Sequence, residues 1–305
     1  MAATDTPRLP PELELHIFSI VAVSDLKTAP NLMLVCRRVR DWMQPILYRT
    51  VLLTGTLRPS IPGIPWCTPT AFKSAAPTCA SKVKNLMLAT VQSTFAEEAL
   101  SVSPSVESLF VAPLVTAPSA ALLALPALRR LSCDLGHIID LQPKLVLRQH
   151  PAFQNLTHLE LFRLPAAWGT NTDSDFTSNS WAQLARLPAL THLALTRAKM
   201  PASELPICAF LLSPTGCVRL TTFVLVGMAD AAVLAHAASD VRFVVMSQLK
   251  LMDFFMDWID GARFGEDFWA RADAFIARRR SGEVEKSAYK VKQRGSPFVA
   301  ERLVD

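Results

Sequence analysis

Apolar positions along the chain follow two different periods. From residue 8 to 53 the spacing is helical. After Pro10 and Pro11, the residues Leu13, Ile17, Phe18, Ile20 and Val21 recur at three- and four-residue intervals, with Glu12 and Glu14 placed to suit the positive start of a helix. This predicts a helix ending near Val23. A second face of Leu32, Val35, Cys36, Val39, Trp42 and Met43, with Arg37, Arg38, Arg40 and Asp41 off it, predicts one further helix stopped by Pro45. A unit of this size has little interior of its own, so it is expected to lean on a partner, on the rest of the chain, or on both.

Residues 54–79 carry five prolines and few charges, which predicts an extended linker or wrapping loop. Beyond it the pattern apolar, two variable, apolar, one variable, apolar recurs seven times: VKNLML (83), VESLFV (106), LRRLSC (128), LTHLEL (156), LTHLAL (190), LTTFVL (220) and VRFVVM (241). The start-to-start spacings of 23, 22, 28, 34, 30 and 21 residues suit stacked units of one short parallel strand and a helical or irregular return. No Asn-Gly or Asp-Gly hairpin turn joins the strands, which argues against a β-sandwich. Alternation turns the third and fifth positions of each copy away from the repeat core. In the middle copies these include Arg130, His158, Glu160 and His192, and in the last they are Phe243 and Val245.

That strand face has two readings. In solenoids it is a common partner-binding surface, which makes Arg130, His158, Glu160 and His192 the candidate substrate-binding centre. A solvated or helix-covered sheet with no ligand accounts for the same pattern equally well. Two histidines and a carboxylate also invite a metal site, but the repeat itself already explains both histidines, so no metal and no cofactor is expected.

Near the end, Phe268, Trp269, Ala272, Phe275 and Ile276 share one helical face, with Glu266 and Asp267 before it and Arg278, Arg279 and Arg280 after it. This predicts a terminal helix sealing the last repeat within residues 251–282, followed by a basic tail at 283–305. The triple arginine is also readable as a nuclear-import signal or an acidic-partner patch. The polar loop Pro165–Ser180 accounts for the longest repeat spacing.

Composition narrows the partners. The hydrophobic class makes up 50% of the 305 residues and the charged class 19%, as in a globular chain. The net charge is +5, but residues 271–305 alone hold nine basic and five acidic residues, so the body is close to neutral and a broad nucleic-acid face is not expected. No two of the six cysteines have C-x-x-C spacing, which reads as reduced thiols. Ser108–Leu128 runs without a charge, yet Pro113, Pro118 and Pro126 would break a spanning helix, so no membrane partner is expected. The start, MAATDTPRLPPELE, lacks a secretion pattern, which places the protein in the cytoplasm or nucleus. The chain has no G-x-S-x-G, Walker, H-E-x-x-H or G-x-G-x-x-G motif, so an enzyme is not expected.

The segments LPPELELHIFSI and NLMLVCRRVRDWMQPILYRTVLL resemble an F-box, in the form that abounds in mushroom-forming fungi. The resemblance rests on the leading Leu-Pro-x-Glu-Leu, the Ile-Phe pair, Val-Cys-Arg-Arg and a closing aromatic, Trp42 or Tyr48. It covers about 15% of the chain. The body, residues 80–250, is similar to the leucine-rich-repeat regions that often follow an F-box, although its ninth repeat positions lack the usual asparagine or cysteine. The implied fold is α/β: a small N-terminal helical F-box, an irregular solenoid with short parallel strands and a C-terminal capping helix. The implied function is the substrate-recognition subunit of a Skp-cullin-F-box ubiquitin ligase, with the Skp adaptor and an unknown target protein as partners. By that analogy the adaptor-facing residues are Leu9, Pro10, Glu12, Leu13, Ile17, Leu32, Val35, Cys36 and Arg37. A non-ligase interaction scaffold using the solenoid face is the alternative.

Overall fold

The computed structural model describes residues 9–25, 27–55, 65–113, 115, 119–142, 145–162 and 181–291. The loop 165–180 and residues 292–305 of the expected tail lie outside them. Three helices come first: α1 (Pro11–Ser24), α2 (Ala29–Leu32) and α3 (Arg37–Leu47). The second helix expected from the sequence is thus split. Val35 and Cys36 sit in the break, where Cys36 is extended and holds the N-cap position of α3 without a side-chain cap bond. Pro45 does not stop α3 but is carried in its last turn, where only one intrahelical bond is forfeited.

The strands are β1 (Thr50–Thr54), β2 (Trp66–Cys67), β3 (Asn85–Ala89), β4 (Ser108–Val111), β5 (Arg130–Cys133), β6 (His158–Leu161), β7 (His192–Met200), β8 (Thr222–Ala229), β9 (Phe243–Met246) and β10 (Lys290–Val291). They form one sheet in the order β10-β9-β8-β7-β6-β5-β4-β3-β1-β2, and every pair is parallel. All seven repeat copies supply a strand, β3 to β9. The remaining three extend the sheet beyond the repeats: β1 and β2 at one edge, and β10 at the other, inside what the sequence suggested was tail.

From β2 to β9 each connection carries a helix among its described residues: α4 (Pro69–Cys79), α5 (Ser93–Ser101), α6 (Ser119–Leu123), α7 (Leu135–Leu141), α8 (Pro151–Gln154), α9 (Ala182–Ala185), α10 (Leu205–Leu212) and α11 (Ala231–Ala237). Helix α4 corrects the expectation of an extended 54–79 linker. Pro69 occupies its first turn, where a missing N–H costs nothing, and the Thr68 hydroxyl accepts from Ala71 N at 3.3 Å as the N-cap. Two longer helices close the chain, α12 (Leu251–Phe264) and α13 (Phe268–Ser281).

One residue in two along the strands, such as Leu109, Leu131, Leu159, Leu193 and Phe223, is fully buried in a core shared with Phe72, Phe95, Phe153 and Leu211 of the connecting helices. The opposite face is covered as well. Ala194, Val224, Val226, Val244 and Met246 pack against Phe268, Trp269, Ala272 and Ile276 of α13. Phe110 on β4 meets Phe254, Phe255 and Trp258 of α12 at ring separations of 5.4, 5.6 and 5.9 Å. The C-terminal helices therefore lie across the strand face, not at the end of the stack. The amphipathic reading of α13 is correct, but the surface it seals is different.

The seventh copy departs from the others by one residue. Phe243 pairs with Phe223 and Val245 with Leu225, so Phe243 and Val245 face the core, while Val244 and Met246 face α13. Aligning motif starts put these side chains on the wrong face, because a shift of one position inverts a strand. Among the described residues no helix is long and apolar enough to cross a membrane.

Candidate functional site

Two places in the molecule answer to the residues singled out in the sequence. The first is the N-terminal helical unit. It has a small core of its own, Ala22, Ala29, Val39 and Met43, with Phe18, Leu32, Trp42 and Ile46 packed around it. Glu14 accepts an ion-paired hydrogen bond from Arg38, which ties α1 to α3, and the Arg38 guanidinium lies 5.1 Å over the Trp42 ring.

Helix α1 is apolar on nearly every side, yet only Ala22 is fully buried. Leu13, Ile17 and Ile20, spaced at helical intervals, are about half exposed, at 51%, 47% and 53%. Leu34 and Val35 in the break before α3 stand out further, at 78% and 61%. Of the nine adaptor-facing candidates, Leu9, Pro10, Glu12, Leu13, Ile17, Val35, Cys36 and Arg37 are exposed, and Leu32 is partly buried in the unit's own core. Exposed apolar side chains in this number on one short helical unit are more than single scattered ones, and covering each gains on the order of 1 kcal/mol.

The second place is the seam between the strand face and the C-terminal helices. Parallel register sets Arg130 beside His158 and His158 beside His192, while Ser132 pairs with Glu160 one layer along. Arg130, His158 and His192 each meet a group on α13 or at its N-cap, while Glu160 accepts from the Thr196 hydroxyl at 2.5 Å. Arg130 is ion-paired with Asp267, whose other oxygen caps α13 by accepting from Ala270 N at 3.0 Å. The His158 and His192 rings stack 3.9 Å apart, and both lie nearly perpendicular to the Trp269 ring at 5.3 and 5.8 Å. His192 Nε2 lies 3.1 Å from both Asp273 carboxylate oxygens, and Asp273 also accepts from the Thr222 hydroxyl at 2.6 Å.

Burial governs the electrostatics here. It pushes His158 down to about 3, helped by the neighbouring His192 and Arg130, so its imidazole is neutral at ordinary pH. It raises the Glu160 carboxyl to about 7 against the lowering effect of hydrogen bonds from Thr196 and Ser132. Asp257, which accepts from Phe268 N at 2.8 Å and is paired with Arg271, is also raised by its burial. Asp273 ends lower than an ordinary carboxyl: burial opposes ionisation, but His192 and Thr222 outweigh it.

All four expected substrate-binding residues thus converge, but under a helical layer. Glu160 is only 1% exposed. The polar centre is occupied by the chain's own acids, which bind the helices to the sheet; it is not displayed to a partner in this arrangement. Each histidine Nδ1 lies against the preceding threonine hydroxyl, Thr157 at 2.8 Å and Thr191 at 2.7 Å. Among the described residues no cluster is arranged to hold a metal ion. Sequence reasoning placed Thr222, the third position of its copy, on this face but missed Asp257, Asp273 and Thr196 as members of the seam. Nothing local marks them, although Asp267 and Trp269 were visible as the start of an amphipathic helix. No protein-family model and no curated protein matches the chain. What the structure establishes is therefore the architecture: this is an α/β protein built on an all-parallel ten-stranded sheet whose strands alternate with helices, consistent with a leucine-rich-repeat-like solenoid.

Proposed function

We propose that this protein is an F-box-type substrate receptor, docking the Skp adaptor of a cullin-based ubiquitin ligase through α1 to α3. The observation that carries the reading is the exposed apolar stripe on a helical unit that keeps a separate core. Eight of the nine residues the F-box resemblance nominates are exposed there, alongside Ile20 and Leu34, and a helix-mediated interface requires such a stripe. The mechanism is proximity: the receptor holds a target near the ubiquitin-loaded enzyme and raises the effective concentration of its lysines. Co-purification of the intact chain with the Skp adaptor tests it. Recovery that is lost in Leu13→Ala combined with Ile17→Ala supports the assignment, and no recovery by the unaltered chain removes it.

The second reading is a non-ligase interaction scaffold, and the covered strand face bears on both readings alike. Arg130 pairs with Asp267 at the N-cap of α13 and His158 and His192 meet Trp269 and Asp273, while Glu160 is buried against Thr196 and Ser132, so a grip on that face is not on display. A chain that recovers other proteins but not the Skp adaptor would favour the scaffold, and an adaptor-bound chain without proteasome-dependent targets would leave the receptor reading incomplete.

A further inference from the structure

We propose that the seam between the strand face and the C-terminal helices encloses one proton, carried on the Glu160 carboxyl, and that closing the seam takes this proton up from solvent. The inference does not depend on the adaptor reading. It rests first on an account of charges. Three carboxylates line the seam together, Glu160 on β6, Asp257 on α12 and Asp267 at the start of α13, around a cavity of about 10 Å³, roughly the space of one water molecule. Two guanidinium groups face them, and both are committed: Arg130 to Asp267 and Arg271 to Asp257.

Glu160 is left with the hydroxyls of Thr196 and Ser132. His158, on the same strand, is held neutral by its burial and offers no countercharge. His192 and Asp273, further along the seam, pair with each other. A carboxylate that is 1% exposed, with hydroxyl partners and two neighbouring acids, is more stable as the acid, because an unpaired buried charge costs several kcal/mol and protonation removes it. The raised Glu160 pKa of about 7 agrees with this arrangement.

The sign of the linkage follows. Below about pH 4.5 Glu160 is protonated in both folded and unfolded chains. Between about 4.5 and about 7 the unfolded chain loses the proton and the folded chain keeps it, so stability falls as pH rises, and above about 7 the loss is complete. Urea unfolding of wild type and Glu160→Gln, followed by tryptophan fluorescence from pH 4 to 9, isolates this contribution. The folding constant of the variant relative to wild type is expected to rise by up to about tenfold per pH unit across that window and then level off. A ratio that stays flat or falls with pH overturns the proposal. Should Glu160→Gln fail to fold, infrared spectra of the native wild type with isotope-labelled glutamate decide instead. A protonated-carboxyl stretch present at pH 6 and lost above pH 8 is expected, and its absence at pH 6 overturns the proposal equally.

Discussion

His158 and His192 stack with ring centroids 3.9 Å apart and planes 11° from parallel, because β6 and β7 pair in parallel register with these two residues side by side. The stack is enclosed by Trp269, and burial together with the adjacent His192 and Arg130 holds His158 at about 3. Its ring resonances are therefore expected to stay constant between pH 8 and pH 4 in an NMR titration. An unfolded histidine binds its proton near pH 6.5, so His158 draws stability down as pH falls from about 6.5 towards 3. A transition of the His158 signals near 6.5 would contradict the packing described.

Arg279 is a structural residue within a run that looks like a charged patch. It is 1% exposed, and Nη1 donates to the carbonyls of Phe243 at 2.9 Å and of Asp240 and Val241 at 3.2 Å, while Nη2 donates to Ala238 at 2.9 Å and to Lys286. Arg279→Ala is expected to cost about 2–4 kcal/mol by stranding several of these carbonyls. Arg278→Ala and Arg280→Ala, at exposed positions, are expected to stay within about 0.5 kcal/mol. Urea unfolding of the three variants tests the contrast.

Gly227 sits opposite the bulge between Arg197 and Lys199, at φ +144°, and a Cβ there would lie 1.7 Å from the Arg197 carbonyl oxygen. Gly227→Ala therefore combines an unfavourable backbone with a clash against main chain, and more than about 2 kcal/mol of destabilisation is expected. Gly265→Ala, where φ is also positive but no atom lies within 4 Å, is expected to lose only about 1 kcal/mol. Thermal unfolding midpoints distinguish them.

Exposed and buried apolar residues are expected to separate cleanly. Leu13→Ala with Ile17→Ala removes half-exposed side chains and should shift stability by less than about 1 kcal/mol, so any loss of adaptor binding reports the surface and not the fold. Phe110→Ala, which empties a fully buried site contacted by three rings of α12, is expected to cost about 3–5 kcal/mol. Chemical denaturation measures both.

The repeat strands were legible because their signal is local. Leucine spacing marks β3 to β9, and period-two alternation correctly placed Arg130, His158, Glu160 and His192 on one face. Helix α4 was not legible, because proline count was weighed without its position in the first turn. The Phe243 strand failed for a related reason: four apolar residues in a row, Phe243 to Met246, carry no alternation to reveal a slip of one.

From the sequence alone came the helical unit with its apolar excess, the seven strands and the amphipathic face of α13, each determined by side chains within a few turns of one another. Tertiary structure alone decided what covers the strand face, where the edge strands β1, β2 and β10 join, and that Arg279 turns inward. These depend on where separate segments meet. The pairing of Arg130 with Asp267 spans 137 residues, and no periodicity in either segment encodes it.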